Sequence, residues 1–446
     1  MKRVTNMTEG SPLKLILLFA IPLIFTNLGQ QLYMIMDASI VGRGVGVKAL
    51  AAVGATDWSY WLILWTITGV TQGFGVFVSR YFGKQEYDKM NRSITMSTIL
   101  CAIIGVILTL AGVLATKPLL ILLETPADIL DGAVTYLTTM VAGTLVVISY
   151  NMAAAILRAF GDGRSPLVAM LIAGLLNVGL DLLFVLVFHW GIFGAAIATV
   201  TAQLVSFIYC LIKISKIEYV KLTKADWTPD GKLLKELLLF GLPLALQYIV
   251  IAGSGMIMQS TINQHGSLFV AGYTASNKLY GLLESSAISL GFAFSTFFAQ
   301  NYGAGNKQRV RSGVRTGVKL SVVLALGVTA VMLLVGKYLL QAFIDAGESE
   351  GPAALEIAQH YLLVMSAFLV VCYLIHVYRN ALQAMGNSVW SMISGFAECG
   401  VRILMAKVLV SLLGSNVLYY IEPFAWMGAL LFIMIPYYIY RKKLLT

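Results

Sequence analysis

The sequence predicts an all-α polytopic membrane protein, with twelve transmembrane helices in two pseudo-symmetric six-helix lobes around a central cavity. Three observations predict it. The 446 residues are 59% hydrophobic and only 12% charged, where a soluble domain is about 25% charged, and the apolar residues come in runs of twenty or more, the length a helix needs to cross a bilayer. Of the 31 Lys and Arg residues, 24 fall on one side of the predicted spans. The chain also repeats itself about 220 residues apart.

The spans are placed at about 14–41, 54–79, 93–116, 131–156, 166–188, 191–213, 235–262, 269–299, 316–343, 356–383, 390–413 and 417–440. The first follows Lys2 and Arg3 but precedes no small-residue cleavage site, so it reads as a retained helix and not a leader. Trp58, Trp190 and Trp390 lie near span ends, where interfacial anchors belong. The basic loops hold groups such as Arg80, Lys84, Lys89 and Arg92, the lysines of 213–235, Lys307 to Lys319, Arg379, and Arg441 to Lys443. The opposite loops carry acids instead, among them Glu124, Asp128, Asp345, Glu348 and Glu350. Positive-inside bias then places both termini in the cytoplasm of a plasma (inner) membrane protein. The net charge of +10 is therefore a topology signal and not a nucleic-acid footprint. Cys101, Cys210, Cys372 and Cys399 fall inside spans without metal-site spacing.

The repeat pairs LKLILLFAIPL at 13–23 with LKELLLFGLPL at 234–244, seven of eleven positions identical. Met34-Ile35-Met36-Asp37 pairs with Met256-Ile257-Met258-Gln259, and Ile156–Pro166 has an echo in Ala381–Ser391. Six spans separate the copies, so the halves share topology. Residues 1–215 form the N-terminal lobe, 216–234 a polar cytoplasmic linker, and 235–446 the C-terminal lobe. Pro22 and Pro243 fall at matched positions; they read equally as kinks or as ordinary helix-packing geometry.

Few ionisable residues remain inside spans. A charge at mid-bilayer costs ~2.5–3.5 kcal/mol or more and persists where it faces protein or water. Asp37 lies in the outer half of span 1. Asn177 and Asp181, four apart, share one face of span 5. Thr199 in span 6 and Tyr136 in span 4 reach a similar depth. Two carboxylates, an amide and two hydroxyls at one depth suit a proton or a small cation such as Na⁺. Glu398 and Arg402, acid first and four apart, read as a structural pair ahead of a substrate contact. Glu284 stands mid-span in span 8, facing the cavity or not. Asp57 and Lys278 occupy matched outer positions, as a gate pair or as independent interfacial charges. Gln30, Tyr33 and Met34 on span 1, and Tyr248, Met256, Met258 and Gln259 on span 7, offer the soft and aromatic surface that varied apolar cations prefer, though each serves ordinary helix packing as well.

No phosphate loop, nucleotide-binding domain or clustered histidine supports an enzyme, since Gly42-Arg43-Gly44-Val45-Gly46 lacks the P-loop Lys-Ser/Thr. Any pumping must use an ion gradient, and no cofactor beyond H⁺ or Na⁺ is expected.

The chain resembles the multidrug and toxic compound extrusion (MATE) family over essentially its whole length. The resemblance is carried by Asp37 with Val41-Gly42-Arg43, by Leu157 to Asp162, by Asn177…Asp181, by GAAIAT in span 6, and by Gln300 to Gly305. It implies exchange of H⁺ or Na⁺ for outward movement of amphipathic organic cations. It also implies an N-lobe ion site at Asp37, Asn177, Asp181 and Thr199, flanked by Gln30 and Tyr33 with Tyr136 nearby. Some branches carry a glutamate where Ile251 stands here, so the chain looks closest to the DinF-like branch. A lipid-linked oligosaccharide flippase of the wider superfamily, a non-transporting receptor or scaffold, and a major-facilitator transporter are the alternatives. Twelve spans and two N-lobe aspartates argue against the first, buried acids within a two-lobe design against the second, and the loop SRYFGKQEYDKMNRS against the third. The expected partners are small amphipathic cations and membrane lipids, with no nucleic acid, for a monomeric protein.

Overall fold

Apolar residues that would be core in water face outward here: Leu114, Leu122 and Leu175 are each 79% exposed, as lipid-facing side chains must be. A computed structural model describes residues 4–341, 344 and 351–444. Every regular element among them is helical. The order is α1 (Pro12–Gly44), α2 (Val47–Lys84), α3 (Tyr87–Leu122), α4 (Ala127–Ala142), α5 (Thr144–Ala159), α6 (Arg164–Asp181) and α7 (Gly191–Ile214), then α8 (Gly231–Asn263), α9 (Ser267–Gly303), α10 (Lys307–Leu340), α11 (Gly351–Ala367), α12 (Leu369–Ala384), α13 (Val389–Ile403), α14 (Val410–Leu413) and α15 (Ile421–Leu444). Helices are the expected form, because backbone groups in hydrocarbon must be satisfied within their own segment.

Nine of these described segments are long and apolar enough to span alone, and two further spans are bent pairs. The α4–α5 pair turns by 47° and the α11–α12 pair by 43°. The remaining expected span, 390–413, is broken into α13, a π-helical turn Leu404–Leu409 and α14, and it carries Glu398, Arg402 and Lys407. The end of the ninth expected span and the acids Asp345, Glu348 and Glu350 lie outside the described residues.

The chain packs into two compact units whose membership differs from the linear lobes of the sequence reading. One unit is Met1–Met7 with Ile21–Ala245; the other is Thr8–Ala20 with Leu246–Thr446. The changes of unit within α1 and α8 fall beside Pro22 and Pro243, which sit inside unbroken helices. Each proline leaves the carbonyl four residues earlier without its amide. The start of α8 joins the first unit through glycines on α2. A Cβ at Gly69 would lie 2.8 Å from the backbone of Ala245, and one at Gly73 would lie 2.9 Å from Gly241 Cα. Backbone obstructs both positions, so even one methyl group must push the helices apart. Gly69→Ala is expected to cost about 1–3 kcal/mol and lower the melting temperature in detergent. Gly54→Ala, which meets nothing within 4 Å, is the control that should leave it unchanged.

The repeat reappears in the irregularities. Backbone with positive φ occurs at Gly46 and Gly266 and at Gln85 and Gly305, each pair 220 residues apart. It recurs at Gly161 and Gly386 and at His189 and Gly414, each 225 apart. The bends of the two broken spans, at Gly143 and Phe368, keep the second spacing. A π-helical turn follows α6 at Leu182–Val187, the counterpart of Leu404–Leu409.

The linker lies against α3. The Thr95 hydroxyl donates to the Asp226 carbonyl at 2.6 Å, and Arg92 pairs with Asp230 at 3.5 Å. Asp226 also closes a capping box with Thr223 at the short helix Lys224–Trp227. Between α2 and α3, Lys84 and Lys89 hydrogen-bond to Glu86 and hold its carboxyl below the usual range.

Arg379 corrects the loop assignment. It lies inside α12, 8% exposed, and donates to Glu398 at 2.8 Å. A position close to a span end gave no hint of this partner, which comes from another helix.

Candidate functional site

The first unit gathers polar groups from five helices. Asp162 fixes the start of α6: its Oδ1 accepts from the backbone nitrogens of Arg164 at 3.1 Å and Ser165 at 2.9 Å. Four turns on, Asn177 and Asp181 point the same way and are 1% and 0% exposed. The π-helical turn begins directly after Asp181, and such turns favour functional positions. Helix α7 is tied to α6 by the Ser206 hydroxyl, which donates to the Ala169 carbonyl at 2.8 Å. That contact brings Thr199 opposite Asn177, whose Nδ2 donates to Thr199 Oγ1 at 3.2 Å. Helix α1 crosses α6 at small residues. A Cβ at Gly174 would lie 3.6 Å from Tyr33 Cβ, and one at Gly29 would overlap Met170 Cε. One turn beyond Tyr33, Asp37 is 9% exposed.

The Asp37 and Asp181 carboxyls face each other closely enough to interact directly. They lack a hydrogen bond of ordinary geometry, since Asp37 Oδ1 and both Asp181 oxygens are buried without a partner. Asn177 Oδ1 is likewise buried and unpartnered. Four orphaned oxygens of one kind, all acceptors, are unusual in a protein interior, where buried polar groups are nearly always satisfied. A donor or a cation is what such a set lacks. No described group of three or more His, Cys, Asp or Glu residues has metal-ligating geometry. Two acids with neutral oxygens therefore suit a proton or an alkali ion ahead of a divalent metal.

Tyr33 and Tyr136 both stand within electrostatic range of Asp37, and Tyr136 is 8% exposed. The sequence reading missed two neighbours. Tyr60 on α2 and Gln203 on α7 face each other, with the hydroxyl and the amide oxygen both lacking a normal partner. Gln203 follows Thr199 by one turn, and that spacing was a usable signal. Tyr60 had none, lying in a run of Trp and Tyr. Asp57 lies close enough to Asp37 to oppose its charge. Gln30 and Met34 are half-buried on α1.

In the second unit the counterpart of Asp37 has another use. Gln259 Nε2 donates to Asn263 Oδ1 at 2.8 Å, and Met256 is half-buried. The Glu398–Arg402 pair is present at 3.1 Å, and it is part of a larger network that includes Arg379 and Glu422. Glu284 on α9 stands beside it.

Comparison with known proteins follows the same outline. A model of the MatE family matches residues 22–183 and 243–408, a range that includes Asp37, Asn177 and Asp181. The chain is 31% identical over 366 residues to the probable multidrug resistance protein YpnP of Bacillus subtilis, covering 81% of this chain and 80% of that one. It is 26% identical over 445 residues to the probable multidrug resistance protein YoeA of the same organism, covering 96% and 94%. Among solved structures, a MOP superfamily transporter from Pyrococcus furiosus superposes with a TM-score of 0.91 at 23% identity, covering 100% of this chain and 99% of that one. An outward-facing multidrug resistance MATE family transporter gives 0.89 at 22%, with the same coverage. At these identities the structures share the fold.

Proposed function

The chain belongs to the MatE family, and from that membership we propose that it is a secondary active antiporter exporting amphipathic organic cations in exchange for H⁺ or Na⁺. One observation carries the reading: four buried acceptor oxygens on Asp37, Asn177 and Asp181 have no partner. The coupling ion binds Asp37 and Asp181, and Asn177 and Thr199 complete its shell. A ligand moves a conformational equilibrium only through different affinities for the two states. Two facing carboxylates supply that difference, because separating them or bringing them together changes the affinity for a cation between them. Loading and release of the ion then drive alternation between outward- and inward-facing states.

Relatives named as multidrug resistance proteins support the substrate class. Gln30, Tyr33, Met34 and Tyr136 are the substrate-contact candidates of the first unit, and Met256, Gln259 and Glu284 are those of the second, each unit taken by itself. The protein works as a monomer in the plasma membrane, among its lipids, with both termini cytoplasmic. Ile251 on α8, where some branches carry a glutamate, and Gln259 as the counterpart of Asp37 favour the DinF-like branch.

Reconstituted protein should export a fluorescent organic cation when a pH gradient or a Na⁺ gradient is imposed separately. The gradient that drives uphill flux identifies the ion. Uphill flux with neither gradient, or facilitated diffusion unaffected by both, rejects antiport.

A further inference from the structure

One face of α11 changes character along its length. Glu356, Gln359, His360, Leu363, Val364 and Ala367 recur at spacings of three and four or nearly so, which puts them on one side of the helix. The first three are polar and the last three apolar. This face borders a groove of about 530 Å³ that Tyr420 and Phe368 also line. The groove lies within the second unit, beside the short helix Ser415–Tyr420 that leads into α15. At its polar end the His360 ring stacks on Tyr419 at 4.2 Å, which fixes the imidazole. At its apolar end Phe368 packs 6.5 Å from Phe424, whose ring also lies 6.5 Å from Tyr420. Phe368 marks the 43° bend of the span. At 1.5 Å per residue, Glu356 and Phe368 are ~18 Å apart along the axis. That is close to the depth of one leaflet of a bilayer ~40–45 Å thick with its headgroups.

The repeat shows what opens this space. The counterpart of α11 is α4, with Asp131 for Glu356, Tyr136 for Tyr361 and Gly143 for Phe368, each 225 residues earlier. In the first unit two glycines let α4 settle on α7. A Cβ at Gly132 would lie 2.8 Å from Ile192 Cδ1, and one at Gly143 would overlap Val200. The second unit has Ile357 and Phe368 at those positions. Ile357 is used against α9, where a Cβ at Gly272 would lie 2.8 Å from Ile357 Cβ. Phe368 is too bulky for the approach that Gly143 permits. The polar-to-apolar order is also peculiar to this copy: Val134 and Thr135 stand where Gln359 and His360 do, and Thr138 and Thr139 where Leu363 and Val364 do. Glu356 is exposed, and among the described residues no ion pair includes it. The polar end thus offers one carboxylate as acceptor, with an amide, an imidazole and a phenol as donors. An ammonium next to a phosphate complements that set, and an acyl chain complements the apolar end.

We propose that this groove holds one phospholipid with a primary-amine headgroup, its ammonium on Glu356, its phosphate among Gln359, His360 and Tyr420, and an acyl chain along Leu363 to Phe368. The site needs only a membrane around the second unit and stands whether or not the chain exports cations. Native mass spectrometry of the full chain tests it, with phosphatidylethanolamine and phosphatidylglycerol of matched acyl chains supplied in equal amounts. The wild type should retain one phosphatidylethanolamine about tenfold over phosphatidylglycerol, the worth of one charge-assisted hydrogen bond. Glu356→Gln should bring the two lipids to parity. Ala367→Phe, which fills the apolar end with Glu356 intact, should lose phosphatidylethanolamine as well. Glu356 and Ala367 are both exposed, so both variants should melt like the wild type. Equal retention of the two lipids by the wild type, a preference for phosphatidylglycerol, or a preference that survives Glu356→Gln overturns the proposal. Undiminished retention by Ala367→Phe overturns it too. Displacement of the lipid by tetraphenylphosphonium gives the groove to an organic cation and rejects the lipid as its occupant.

Discussion

Asp37→Asn should abolish ion-coupled export while leaving the protein folded. The substitution removes one charge and almost no volume. It replaces an orphaned carboxylate oxygen with an amide that can donate to Asp181, whose two oxygens lack partners. The cluster then has its donor permanently and no longer needs an ion. Uphill flux of an organic cation in liposomes should fall more than tenfold, a loss of at least about 1.4 kcal/mol of ion-dependent driving difference. Asp181→Asn should act in the same direction. The melting temperature is the discriminating second readout. A carboxylate kept for structure would be missed, whereas one kept for function is often held at a cost in stability. The melting temperature of Asp37→Asn should therefore be unchanged or higher. Wild-type coupled flux in this variant would reject the site.

Glu398→Gln should do the opposite, lowering stability before it touches transport. Glu398 is 5% exposed and is the shared partner of Arg379 and Arg402. Arg402 keeps Glu422 at 2.7 Å and Ser254. Arg379 keeps the Ser394 hydroxyl, at 3.0 Å from Nη2 and 3.2 Å from Nε. Removing one partner of a buried pair typically costs about 3–5 kcal/mol, because the other charge stays buried. Melting of the purified protein should show most of that loss. The double variant Glu398→Gln/Arg379→Gln should recover part of it, since contacting residues are not additive. A single variant as stable as the wild type would make the network dispensable.

The sequence announced its spans because bilayer physics is severe. Every expected span has a helix, and the segments around Asp37, Asn177 and Asp181 lie where hydropathy placed them. Membership of the polar cluster was legible for the same reason: an acid inside an apolar run is conspicuous, and depth alone grouped Asp37 with Asp181 and Thr199. Three things were not legible. Arg379 was counted with the loops, since only its approach to Glu398 from another helix reveals its use. Tyr60 looked like one aromatic among many. The exchange of helix starts between the units depends on Gly69 and Gly73 meeting Gly241 and Ala245, and close approach of backbones leaves no periodic mark in a sequence.

The matched turns also say something about descent. Four pairs of positive-φ positions, and the bends of both broken spans, keep step across the two copies, although one pair is Gln85 with Gly305 and another is His189 with Gly414. Side chains have drifted while the places where the chain must turn have been inherited. Duplication thus supplied two scaffolds of one ground plan, and divergence was free to give them different trades. A carboxylate pair settled in one copy and a guanidinium network in the other. Swapping single residues between copies will not turn one into the other, because Arg402 came with its own partners, Glu422 and Ser254. The ancestral ground plan is better sought in the turns than in the chemistry.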